Sequence, residues 1–114
     1  AVWTEARESF LGYNVFIMRT DAMAPTIANG DVIFVDTRAF SRRQPQVHDV
    51  LVGNDLQTQG PFIRRVTAVD SSGVSLRGDN SASPAAHVDP TQIRGRARYI
   101  LWSSGPGRIG NDIR

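Results

Sequence analysis

Asn14-Val15-Phe16-Ile17-Met18-Arg19-Thr20-Asp21-Ala22-Met23-Ala24-Pro25-Thr26-Ile27-Ala28-Asn29-Gly30-Asp31-Val32-Ile33-Phe34-Val35-Asp36 holds two apolar, β-branched runs and the segment that must join them. The runs Asn14–Met18 and Val32–Asp36 read as strands, and Asn29-Gly30-Asp31 supplies the positive φ and the side-chain acceptors that a turn needs. Between them, Met23–Ala28 predicts a short helical turn after Pro25, with Ala22 at its start. The pattern continues outward through Val50–Gly53, Phe62–Val69, Val74–Arg77 and Ala97–Trp102. Asn54-Asp55, Asp70-Ser71-Ser72-Gly73 and Gly78-Asp79-Asn80 punctuate these strands, and Asp70–Gly73 reads as a hairpin loop. Thr37–Gln46 reads as a polar connection, Ser81–Asp89 as a surface loop and Gly105–Arg114 as a tail that frays. The fold class is mostly β.

The chain has 114 residues, enough for one domain with one core, and 40% of them are apolar. It contains no cysteine, which excludes a disulfide framework and thiolate metal sites. No run of about 20 apolar residues occurs, and Ala1 does not begin a signal-peptide pattern. The formal net charge is +2, and every one of the 13 basic residues is an arginine. These stand as Arg42-Arg43, Arg64-Arg65 and Arg94-x-Arg96-x-Arg98 without forming a continuous stripe, and no nucleic-acid-binding signature accompanies them. Asp21, Asp31, Asp79 and Asp89 lack the spacing of a calcium loop, and His48 and His87 lack that of a zinc site. Asp31 and Asp79 read as residues that fix turns, and the two histidines as surface residues. Trp3, Phe10, Tyr13 and Phe16 make the N-terminal region rich in aromatics; they read as core residues, with contact to a membrane interface as the other reading.

The segment Met18–Asp31 resembles the nucleophile motif of type I signal peptidases, Ser-Met-x-Pro-Thr-(apolar)-x-x-Gly-Asp, with Ala22 where the serine belongs. Phe62-Ile63-Arg64-Arg65-Val66 resembles the strand that carries the family's general-base lysine, with Arg64 in the lysine's place. A guanidinium with a pKa above roughly 12 cannot act as a base near neutral pH, so both halves of the Ser-Lys dyad are missing. Further boxes follow in the family's order across about residues 16–110. His48-Asp49-Val50-Leu51-Val52 is similar to Gly-Asp-Val-(apolar)-Val, and Gly78-Asp79-Asn80 matches the Gly-Asp-Asn box. Ile93-Arg94-Gly95-Arg96-Ala97 with Leu101-Trp102 resembles the closing Gly-Arg-Ala strand, and Gly107-Arg108-Ile109-Gly110 the terminal Arg-Ile-Gly. After Asn80 the chain departs from the family, because the Asp-Ser-Arg stretch has no counterpart and only Ser83 stands near the supporting serine.

The resemblance implies a coiled antiparallel β-sheet assembly of the signal-peptidase and SOS-repressor type, and an ancestral endoproteolysis of exported proteins after small residues. It implies an oxyanion hole from the Ala22 N–H and the Thr20 hydroxyl, with substrate along Asp21, Met23, Pro25 and Ser83. It further implies that Arg64 lies beside Ala22, that no metal or cofactor takes part, and that nucleic acid is not a partner. A membrane anchor upstream of Ala1 is implied too, with the domain on the extracytoplasmic side of a bacterial cytoplasmic membrane. Two alternatives share these residues. One is a pseudoprotease that binds peptides or partners an active protease; the other is the C-terminal domain of a self-cleaving repressor, against which the Gly-Asp-Asn, Gly-Arg-Ala and Arg-Ile-Gly boxes stand.

Overall fold

Seven antiparallel strands make one curled sheet in this computed structural model, which describes residues 14–54, 60–80, 84–105 and 107–114. They are β1 (Val15–Ile17), β2 (Val32–Asp36), β3 (Val50–Asn54), β4 (Pro61–Asp70), β5 (Gly73–Arg77), β6 (Ala86–Val88) and β7 (Ile93–Trp102). Their order across the sheet is β1-β2-β7-β3-β4-β5-β6, so the last strand in sequence is inserted between β2 and β3. The domain is mostly β, as the alternation of branched runs and turn residues predicts.

Curling follows from interrupted registers. Shifts fall between Phe34 and Val35 opposite β7, between Val52 and Gly53 opposite β7, and between Val66 and Ala68 opposite β5. An extra residue on one strand of a pair bends it and increases its twist. The sheet consequently buries side chains on both faces. Val50, Val52 and Ile63 join Phe16, Met18, Met23, Ile27, Ile33, Val35, Ala97, Ile100 and Ile113 in one cluster, while Leu51, Val66, Val74, Leu76 and Val88 form the second. Neighbouring residues of β3 therefore serve different cores, as a two-residue period requires.

The Asp70–Gly73 hairpin forms as read, with Asp70 paired to Gly73 across β4 and β5. Gly73 has φ +144°, and a Cβ there would lie 2.0 Å from the Val88 carbonyl oxygen of β6, so only glycine lets the third strand approach.

Four local expectations change. Ala86–Val88, inside the region read as a loop, pairs with β5, because an available strand edge and the burial of Val88 outweigh the weak β preference of alanine and histidine. The Thr37–Gln46 connection contains a short helix, α1 (Ala39–Arg42), whose Phe40 packs against the second cluster. Met23–Ala28 is not a helix but a set of hydrogen-bonded turns, closed by Ile27 N–H to the Met23 carbonyl at 3.0 Å. The C-terminal segment is docked: Ile113 is buried, its N–H donates to the Arg98 carbonyl at 2.8 Å, and Asp112 bridges to Tyr99.

A 3₁₀ turn, Pro90–Gln92, leads into β7 behind a reciprocal cap. The Asp89 carboxylate accepts from the Thr91 N–H and hydroxyl, and the Gln92 side chain accepts from the Asp89 N–H at 2.9 Å. Asp89→Ala should lower stability through loss of this cap, seen as a lower midpoint of urea unfolding with an unchanged slope.

Candidate functional site

The loop from Met18 to Asp31 is closed at its neck by backbone bonds, Met18 N–H to the Asp31 carbonyl at 2.9 Å and Gly30 N–H to the Met18 carbonyl at 2.8 Å. Inside the neck, the Asp31 carboxylate is 1% exposed. It accepts from the Ala28 N–H at 2.9 Å, the Ser103 hydroxyl at 2.5 Å and Arg108 Nη2 at 3.3 Å. Arg108 also donates to the Thr26 carbonyl at 2.6 Å, binding the C-terminal segment to the loop. Met23 and Ile27 are fully buried and pin the loop to the first core. Met23, expected along the substrate path, thus has its side chain in the core, whereas Asp21 and Pro25 are exposed.

The far side of the loop is held by Gly78-Asp79-Asn80. Asn80 donates its backbone N–H to the Ala22 carbonyl at 2.9 Å and its Nδ2 to the Asp21 carbonyl at 3.1 Å. Asp79 accepts from the Thr26 hydroxyl at 2.5 Å and takes a two-pronged bond from Arg65, Nε at 2.7 Å and Nη2 at 2.8 Å. Both partners of this ion pair keep less than a fifth of their side-chain surface in water. Bonding to Arg65 holds the Asp79 carboxyl below its ordinary pKa against the upward push of burial, with Thr26 adding to the effect, and the same bond raises Arg65. Paired planar ions of this geometry are the strong class of charge-assisted bond.

Ala22 itself is half-buried and packs against the first core. Its N–H donates to Thr20 Oγ1 at 3.2 Å, so the two groups expected to form an oxyanion hole converge and, in this state, bond each other. No nucleophilic atom stands at position 22.

The register of β3 and β4 decides where the two adjacent arginines point. Val50 pairs with Arg65 and Val52 with Ile63, on the face of the first core; Leu51 pairs with Arg64 and Gly53 with Phe62, on the other face. Arg65, rather than Arg64, therefore reaches the partner of the Ala22 loop. The Arg64 guanidinium stays on its own strand, with Nη1 donating to the Ile63 carbonyl at 2.7 Å and the group lying 5.6 Å from the Phe62 ring centre. Burial lowers its pKa from the ordinary value, yet a guanidinium remains a permanent cation at neutral pH.

Ser83 lies outside the described residues. His48 is exposed and contributes its carbonyl, which accepts from Arg65 Nη1 at 2.8 Å, while His87 faces solvent near Asp70 and Ser72. Residues that the sequence reading did not single out, Thr26, Arg65, Ser103 and Arg108, complete the support of the loop. Thr26, Arg65 and Arg108 sit inside matched boxes and so carry a signal in the sequence, whereas Ser103 does not.

Among the described residues, no group of three or more His, Asp or Glu side chains converges as metal ligands, and no helix is long and apolar enough to cross a membrane. A cavity of about 540 Å³ lies between α1 and the β4–β5 hairpin, walled by Phe40, Val69, Val74 and Ile93; no residue of the Ala22 loop lines it. Comparison with protein-family models and with curated proteins finds no match to this chain.

Proposed function

We propose that this chain is a signal-peptidase-like endopeptidase domain without its nucleophile and base, and that it binds an extended peptide with small side chains along the Ala22 loop. One observation carries the reading. Ala22 is a residue with no reactive atom, yet Asn80 ties both its carbonyl and that of Asp21, while Asp79 and Arg65 fix the same loop through Thr26. Such support is more than a connecting turn needs and is what a recognition surface needs. β1 stands at one end of the strand order and runs directly toward Thr20–Ala22, which suits recognition by strand addition. In this reading the domain works on the extracytoplasmic side of a bacterial cytoplasmic membrane, on an exported precursor or beside an active protease.

The test uses a fluorescent peptide bearing an alanine-rich cleavage sequence, with anisotropy for binding and mass spectrometry for cleavage. The chain and its Ala22→Ser variant are expected to bind the peptide and leave it intact, because a serine without a base is a weak nucleophile. Cleavage by Ala22→Ser alone would overturn the loss of chemistry, and absence of binding would overturn the Ala22 loop as a recognition surface. Adding Arg64→Lys asks whether position 64 reaches position 22: turnover by the double variant assigns the base's place to it, and silence with binding intact leaves a binding module.

A further inference from the structure

Folding gathers arginines that are separated in sequence. Arg42 and Arg43 close α1, and Arg96 and Arg98 lie on β7, where Asp36 of β2 pairs with Arg96 and a register shift places Arg98 between the residues paired to Phe34 and Val35. With Asp36 and Ala39, these four side chains line a surface pocket of about 270 Å³. Asp36 and Arg96 follow the alternation of Leu51 rather than of Val35, so the pocket opens on the sheet face away from the Ala22 loop.

We propose that this pocket binds a phosphate group, with Arg42, Arg96 and Arg98 as its donors. The carboxylates nearby do not satisfy the cluster. Arg43 is fully engaged by Asp49, through bonds of 2.9 and 3.2 Å, and by the Gln44 carbonyl. Arg96 then reaches Asp49 only at 3.8 Å, and Arg98, whose Nη2 donates to the Tyr99 hydroxyl at 2.9 Å, reaches Asp36 and Asp112 only at 3.9 Å. The Nε atoms of Arg96 and Arg98 are buried without a hydrogen-bond partner among the described residues, as is that of Arg108 outside the pocket, so the groups these arginines offer a ligand are their terminal Nη atoms. Arg42 keeps 71% of its side-chain surface exposed and holds Asp36 at 3.4 Å. With Arg114, which shares Asp112 with Arg98, five guanidinium groups face three carboxylates here, Asp36, Asp49 and Asp112. The surplus of two positive charges matches a phosphate dianion, whose several oxygens accept from guanidinium forks on different elements as one carboxylate cannot.

The probe is inorganic phosphate, titrated at constant ionic strength against chloride and followed by the Nε–Hε resonances of the arginines. Saturable shifts are expected at Arg96 and Arg98. Arg96→Gln and Arg42→Gln should each weaken binding by about tenfold, the value of one charge-assisted bond, while Arg114→Gln, at the exposed end, leaves it unchanged. Should Arg96→Gln fail to fold, the exposed Arg42→Gln carries the test alone. A shift that never saturates, or that Arg114→Gln weakens equally, reports diffuse charge and overturns the site. Phosphatidylcholine vesicles with and without phosphatidic acid separate the sources. Vesicle binding that requires phosphatidic acid and is lost in Arg42→Gln assigns a lipid phosphate, whereas saturation by inorganic phosphate without vesicle binding assigns a soluble one. Tighter binding of a single-stranded oligonucleotide than of either phosphate probe would overturn the proposal in favour of a nucleic-acid surface.

Discussion

Asp31→Ala is expected to lower the stability of the domain by about 3–5 kcal/mol, the range for removing one member of a buried charged network. Three donors converge on this carboxylate, and the substitution strands the Ala28 N–H and the Ser103 hydroxyl in a site that is 1% exposed. Each orphaned polar group costs about 1–3 kcal/mol. The third donor, Arg108, retains the Thr26 carbonyl and a quarter of its surface, so it relaxes toward water and keeps the total from rising further. Asp31→Asn preserves an acceptor and should cost roughly half as much. Urea unfolding of both variants decides the matter, and a loss below about 1 kcal/mol for Asp31→Ala would show that water replaces the carboxylate. The same variant should weaken peptide binding in the proposed function, since the neck of the Ala22 loop depends on Asp31.

What the sequence makes legible is what local chemistry controls. Val32–Asp36 is branched and alternating, and it forms a strand with those bounds. Asp31 and Asp79 stand beside glycines in turn segments; Asp31 fixes its turn locally through the Ala28 N–H, and both add long-range bonds that no local pattern displays. Ala86–Val88 has no strong preference of its own and becomes a strand because β5 offers it an edge. Glycine-rich composition predicts fraying after Gly105, yet Ile113 and Arg108 reach partners far away in sequence. The adjacent arginines of β4 are the sharpest case. A motif match selects Arg64, but which neighbour faces the loop depends on the pairing with β3, and a slip of one residue would exchange them. The arginine pocket is invisible in the sequence for the same reason, because it needs β7 to lie beside β2 and under α1.

Asp79→Ala, the second large perturbation, should cost about 2–3 kcal/mol near neutral pH. That lies just under the roughly 3–5 kcal/mol for breaking a fully buried pair, because the two side chains keep 18% and 17% of their surface in water. Arg65 loses a two-pronged acceptor and, among the described residues, keeps the His48 carbonyl alone, while the Thr26 hydroxyl loses its acceptor. A variant with Arg65→Met and Asp79→Leu together should recover part of the loss, since no charge is then left without a partner. The pH dependence separates this ion pair from simple packing. Asp79 is held below its ordinary pKa by Arg65 when folded, so over that interval the unfolded chain binds the proton that the native state does not. Its contribution is complete above the unfolded carboxylate value of about 3.9 and is lost as the pH falls through the lower folded value. The stability difference between the natural chain and Asp79→Ala should accordingly narrow below about pH 4, whereas a gap that stays constant into strong acid would make Asp79 a packing residue. Asp49, pushed up by burial but lowered on balance by Arg43, the Gln46 N–H and Arg96, retains its own acid sensitivity in the variant. The narrowing measured by difference therefore belongs to the support of the Ala22 loop and not to the arginine pocket.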